Sequence, residues 1–376
     1  MGHCCYLLCN FFPHWATLVP GSILMGILNC PLWTCLEVYI TTLAKVEVTS
    51  DPKRCTTFHA SFSRLNGAFF SIFMASHLSG NLISSTILFQ SNYNATNNAA
   101  TQVEADAARL ESAACGAAYC ARAGRGRHIV RPDPHVVSLM LVVFLLFEVA
   151  GLLVTKKWLP DLQQRRLVGQ SGWHKVRSHL STLKQPRMWL LVPFLVSRMM
   201  NLALEVGTFT EAFISCTLGI RMVGYVMAAR GLATMVSAGL LGWLARFTGR
   251  QVLCLLALVS DLALFLVLTW WEPRADQLPV FLGLAALMGL VEGVWAVQVN
   301  ALVALMFPAA PDSAFAMKGM WSSLSMAITF ITATFLCPLA RIHMTVAMII
   351  MAAMGYIVLE VVDLRLQRCE DERHTT

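Results

Sequence analysis

The stretch 278–306, LPVFLGLAALMGLVEGVWAVQVNALVALM, decides the fold. Glu292 is its one acidic or basic residue. About 20 such residues are enough to cross the ~30 Å hydrocarbon core of a bilayer. Apolar side chains surround the stretch rather than marking a single face, the pattern of a helix bounded by lipid or by other helices on every side. Working outward, eight further stretches reach the same length: 17–44, 65–90, 135–155, 188–208, 215–243, 251–271, 314–338 and 342–362. Residues 1–15 (MGHCCYLLCNFFPHW) are apolar but too short to cross alone, and Pro13 and Pro20 are expected to break the helix at the start of the second segment. They read as the remnant of a tenth segment. A cleaved signal peptide does not fit, because no basic residue precedes the apolar run and no small-x-small site ends it.

Composition points the same way. Of 376 residues, 57% are hydrophobic and 13% charged, and the mean hydropathy is +0.62. Soluble domains carry roughly 45–50% apolar and about 25% charged residues. Half the usual charge cannot cover a soluble surface, which excludes a cytosolic enzyme, a disordered chain and a nucleic-acid-binding domain. The 12 cysteines are too sparse for a small disulfide scaffold. No H-E-x-x-H, G-x-S-x-G, G-x-x-x-x-G-K-[ST] or G-x-G-x-x-G is present, and no Cys/His spacing matches a zinc site. The expectation is a protein that is not an enzyme, with no cofactor, no metal and no nucleic-acid partner.

The formal charge of +7 orients the chain. The 156–187 connection carries Lys156, Lys157, Arg165, Arg166, Lys175, Arg177, Lys184 and Arg187 against Asp161 alone. Short Lys/Arg-rich loops stay in the cytosol. The 45–64 turn, the 244–250 turn and the C-terminal tail fall on the same side. The 91–134 loop, the 272–277 turn and the 339–342 turn fall outside. That long polar loop carries the sequon Asn94-Ala95-Thr96, an acceptor for N-glycosylation on an exoplasmic surface. It also holds Cys115 and Cys120, which either close a small disulfide in an oxidising compartment or stay free thiols. Cys4 and Cys5 lie near Gly2, but Tyr6 breaks the myristoylation pattern.

The basic connection divides the chain, with four segments before it and six after. Six plus six spans about a long cytosolic loop is the layout of the major facilitator superfamily. The turn Gly242-Trp243-Leu244-Ala245-Arg246-Phe247-Thr248-Gly249-Arg250 is similar to that superfamily's short inner-turn signature, with Ala245 where an Asp is usual. Further segments are more specific: Pro31-Leu32-Trp33, Tyr39-Ile40-Thr41, Gly80-Asn81-Leu82-Ile83-Ser84-Ser85, Cys216-Thr217-Leu218-Gly219-Ile220, Glu272-Pro273-Arg274-Ala275-Asp276-Gln277-Leu278, and Gly293-Val294-Trp295 followed by Gln298 and Asn300-Ala301-Leu302. Together they resemble the uncoordinated-93 family, ion channel regulatory proteins of the major facilitator superfamily, and most closely its homolog A branch. The resemblance runs from about Leu7 to Val362 and includes Cys115 and Cys120.

It implies a twelve-helix fold of which this chain starts within the third helix, so that about ten are present. It also implies a non-catalytic multi-pass protein, most naturally of the plasma membrane with a cytoplasmic C-terminus, that associates with and modulates a potassium channel. Two alternatives are a solute transporter of the superfamily type and a trafficking chaperone for membrane receptors. The expected architecture is an all-α polytopic membrane helical bundle. It comprises an incomplete N-terminal transmembrane half (1–155), a basic linker (156–187), a six-helix C-terminal half (188–362) and a tail (363–376).

Ionisable groups in mid-membrane cost about 2.5–3.5 kcal/mol each on insertion scales and so mark candidate sites. Glu148, Arg198, Arg230, Asp261 and Glu292 occupy such positions. In the C-terminal half two bases and two acids balance, which favours paired struts between helices. The alternative is a cation or proton site at Glu292, with Trp295 nearly one turn along. The span holding Asn66, Ser71, Ser76, His77, Ser79, Asn81, Ser84 and Ser85 is unusually polar. Its small residues Gly80, Asn81, Ser84 and Ser85 are the expected helix-docking face.

Overall fold

The computed structural model describes residues 2–50, 57–96, 115–120, 133–158, 181–244, 249–308 and 310–375, with side chains left undescribed at 89–96 and from 363 onward. Among the described residues the regular structure is helical throughout. The helices are α1 (Gly2–Cys9), α2 (Trp15–Ser50), α3 (Phe58–Thr96), α4 (Pro134–Trp158), α5 (Pro186–Leu218), α6 (Ile220–Leu244), α7 (Arg250–Trp270), α8 (Leu278–Met306), α9 (Pro311–Ala333) and α10 (Pro338–Thr375). A short 3-10 turn, Gly116–Ala118, stands apart between α3 and α4. Among the described residues seven helices, α2, α4 to α8 and the Pro338–Val362 part of α10, are long and apolar enough to cross a membrane. The more polar α3 and α9 complete the bundle. The chain is a polytopic membrane helical bundle.

The expected spans each fall on a helix, but three boundaries differ. Pro20 does not break the second segment: α2 runs through both Pro20 and Pro31. Membrane helices tolerate proline because neighbouring groups can satisfy the freed carbonyl. The expected gap between 208 and 215 is helical too. There α5 widens into a π-helical stretch, Leu204–Ser215, and it ends only at Gly219, whose φ of 86° is a conformation that residues with a Cβ avoid. One glycine therefore joins α5 to α6. The segment read as 314–338 ends at Ala333, and Pro338 opens α10 instead.

Helix α3 packs closely against α6. A Cβ on Gly67 would lie 2.6 Å from the Ala238 carbonyl oxygen and 2.8 Å from the Gly242 Cα, so these backbones nearly touch. Ser71 donates to the Met235 carbonyl at 2.8 Å, and Ser85 to the Arg221 carbonyl at 3.0 Å. Asn66 donates to the Ala296 carbonyl on α8 at 2.8 Å. The core lies among α5 to α8 and α10, where Leu191, Phe194, Cys254, Ala257, Met288, Ile349, Ala352 and Tyr356 are buried. By contrast, α4 buries Leu141 alone, and the buried residues of α2 are Gly21, Glu37, Ile40, Thr41 and Ala44. The large apolar residues Ile23, Ile27, Leu146, Phe147 and Leu153 point outward, as a lipid-facing surface requires. Helix α1 is too short to span and lies along α2, with Gly2 against Leu28 and the His3 ring bonded to Asn29.

Candidate functional site

The buried charges converge where α5, α6, α7 and α8 meet. On α5, Arg198, Asn201, Glu205 and Thr208 recur at three- and four-residue spacing, so they share one inward face. Arg230 reaches in from α6, Asp261 from α7, and Glu292 with Trp295 from α8. Arg198 donates to Glu292 Oε2. Arg230 donates to Glu205 Oε2 from Nε at 3.0 Å and from Nη2 at 2.5 Å, and its Nη2 also lies 3.5 Å from Glu292 Oε2. Glu292 thus bridges two guanidinium groups. Asp261 stands beside this chain of ion pairs: its Oδ2 accepts from Asn201 Nδ2 at 2.9 Å and from Trp295 Nε1 at 2.7 Å. All five charged side chains are buried.

Of the four groups read from the sequence as paired struts, Arg198, Arg230 and Glu292 are joined by ion pairs in this geometry, whereas Asp261 makes none among the described residues. The expected balance is short by one acid, however, because Glu205 falls near the end of a stretch that the sequence appears to close at 208. The seven-residue step from Arg198 to Glu205 is the signal that could have found it. Glu148 is not part of the site. It sits half-buried on α4, a helix with outward-facing neighbours Phe147 and Val149, and no ion pair among the described residues includes it. A small cavity of about 10 Å³ beside Glu205 is lined by Leu204, Thr208, Phe209, Phe213, Phe265, Leu268 and Ile342. That is room for about one water molecule.

A second polar network joins α2 and α3 to α8 and α9. Lys318 donates to Glu37, and to Asn300 Oδ1 at 2.5 Å. Asn300 in turn donates to Asn66 at 3.4 Å. Near one end of the bundle, Arg250 donates to both oxygens of Glu360, at 2.8 and 3.0 Å, so the last residue of the Gly-Arg turn anchors α7 to α10. Residues 245–248 of that turn and 159–180 of the basic linker lie outside the described residues.

At the opposite end the cysteines correct the sequence reading. Cys115 and Cys120 do not pair with each other. Cys115 is bonded to Cys216 and Cys120 to Cys337, across sequence separations of 101 and 217 residues. The 3-10 turn between them seats Ala117 and Tyr119 in the core, so one cysteine meets the end of α5 and the other the turn before α10. Gly116 has φ 80°, and a Cβ there would meet the Pro273 ring at 2.7 Å. Burial, followed by the neighbouring Glu211 carboxylate, raises the Tyr119 hydroxyl above the usual phenol range, so it stays a donor toward Glu211 at 3.5 Å.

The expected docking face is only partly free. Ser85 is spent on α6, and Gly224 of α6 packs so closely that a Cβ would lie 2.5 Å from the Asn81 carbonyl. Ser84 bonds back to the Gly80 carbonyl at 2.8 Å, and the space around Gly80 is open. His77 is exposed, its ring edge-on to Phe73 at 5.2 Å. Asn94 lies in the last turn of the α3 backbone.

No family model matches the chain. Individual proteins do. The chain is 31% identical to Protein unc-93 homolog A of Bos taurus over 363 residues, covering 94% of this chain and 77% of that protein. It is 28% identical to the Homo sapiens protein of the same name, over 96% of this chain and 78% of that one. A Caenorhabditis elegans protein named "Putative potassium channel regulatory protein unc-93" is 25% identical over 94% of this chain and 50% of its own length. With that identity sustained across nearly the whole membrane bundle, the chain belongs to the unc-93 family.

Proposed function

We propose that this protein is a non-catalytic, multi-pass regulator that associates with a potassium channel in the plasma membrane. The observation that carries the reading is the match, over 94% of the chain, to the nematode protein named "Putative potassium channel regulatory protein unc-93". The packing is consistent with it. The charges of α5 to α8 are engaged with one another, as struts would be, and the outward faces of α2 and α4 offer apolar surface to lipid or to another membrane protein. The two disulfides form in an oxidising compartment. They support an exoplasmic 91–134 loop, with the basic linker and the C-terminus in the cytosol.

Co-expression with potassium channels tests the proposal. Co-purification with a channel and an altered current are the expected results, and no change in either overturns it. The burial of Glu292 and Arg198 leaves one alternative to test, transport of a solute past these two residues. Uptake into proteoliposomes that Glu292→Gln abolishes would establish transport, and flat uptake for every solute tried would retire it.

A further inference from the structure

We propose that Asp261 holds a proton, and that the Asn201–Asp261 pair is a proton site within the network of α5 to α8. The charge count comes first. Glu205, Asp261 and Glu292 face Arg198 and Arg230, three acids against two bases, in the interior of a membrane bundle where unbalanced charge is costly. One proton makes the cluster neutral.

Geometry then selects the carrier. Glu292 lies between two guanidinium groups, and Glu205 takes two bonds from Arg230. Among the described residues Asp261 accepts only from the neutral donors Asn201 and Trp295, and both bonds fall on Oδ2. A separate observation points to the same residue: the buried Asn201 Oδ1 accepts no hydrogen bond among the described residues. A carboxylic acid and a primary amide are complementary, the amide N–H giving to the acid carbonyl and the acid O–H giving to the amide oxygen. Protonated Asp261 supplies the donor that Asn201 Oδ1 lacks, whereas an ionised Asp261 would set acceptor beside acceptor.

The groups facing Asp261 can be named element by element. Asn201, Arg198 and Glu205 come from α5 and Trp295 from α8, while Arg230 of α6 and Glu292 of α8 join through their ion pairs to Glu205 and Arg198. On α7 itself Cys254 and Arg250 lie about two and three turns away, paired with Tyr356 and Glu360 of α10, and the buried Arg341 of α10 is drawn to Glu211. The step is simple proton binding: an O–H bond of a hydronium ion breaks, one O–H bond forms on Asp261 Oδ1, a water molecule is released, and no oxidation state changes. This inference does not depend on the channel reading.

The test is infrared spectroscopy of the full chain reconstituted in lipid vesicles and stepped in pH, with Asp261→Asn, Glu205→Gln and Glu292→Gln in parallel. The expected result is a protonated-carboxyl stretch in the wild type at neutral pH that Asp261→Asn removes. That variant should melt with the wild type, because an amide pairs with Asn201 as the acid does, while Glu205→Gln and Glu292→Gln melt earlier. Asn201→Ala should shift the band by removing its acceptor, which keeps the test open if Asp261→Asn folds poorly. A wild type with no such band, a band that survives Asp261→Asn, or a band that Asn201→Ala leaves unmoved overturns the proposal.

Discussion

Arg230 gives two hydrogen bonds to a single oxygen of Glu205, from Nε and from Nη2, while the same guanidinium lies 3.5 Å from Glu292. One cation thereby ties α6 to α5 and to α8. Removing one partner of such a buried pair strands the other charge and costs about 3–5 kcal/mol. Glu205→Ala and Arg230→Ala are each expected to melt well below the wild type in detergent. The double variant should lose less than the sum, because the second change removes the stranded charge. Additive losses would show that the two side chains act independently.

Lys318 and Glu37 hold α9 against α2, a helix whose buried surface is otherwise small. Lys318→Glu and Glu37→Lys each place like charges together and should lower the melting temperature. The exchange double variant restores opposite charges and should recover part of the loss, with a coupling of about 0.5–3 kcal/mol. Thermal melts of the four proteins check this.

The disulfide pattern is testable by digestion. Trypsin cutting after Arg109 and Arg122 yields a peptide containing both Cys115 and Cys120. With the pairing seen here it stays attached to the rest of the chain until a reductant is added. Release of the peptide without reductant, carrying an internal disulfide, would restore the local pairing.

Gly289 of α8 and Gly80 of α3 are opposite cases. A Cβ on Gly289 would overlap the Arg230 carbonyl oxygen and lie 2.9 Å from the Ala233 Cβ, whereas nothing lies within 4 Å of one on Gly80. Gly289→Ala must part α6 from α8, an overpacking change expected to cost about 1–3 kcal/mol. Gly80→Ala should be neutral or stabilising by up to about 1 kcal/mol through helix propensity. Equal melting temperatures for the two variants would contradict the close α6–α8 approach.

The orientation predicts that Asn94 is glycosylated. Expression in a eukaryotic cell should give a band that an N-glycosidase shifts and that Asn94→Gln abolishes. An unshifted band would leave the sequon unused and remove that support for an exoplasmic loop.

The sequence by itself determined the class of fold. Stretches such as 278–306 are too long and too apolar to be anything but membrane helices, and that conclusion needs no partner, because the bilayer acts on each segment separately. It also located Arg198, Arg230 and Glu292, since a charge in such a stretch is conspicuous on its own. Other features depended on which helices become neighbours. Glu205 looks like a residue near a span's end until α5 is seen to be continuous to Leu218. Nothing local pairs Glu37 with Lys318, and the nearness of Cys115 to Cys120 in sequence points to the wrong bridge. Each of these contacts joins residues far apart along the chain, so only the tertiary structure, which brings α2 to α9 and the 115–120 segment to the ends of α5 and α10, decided them.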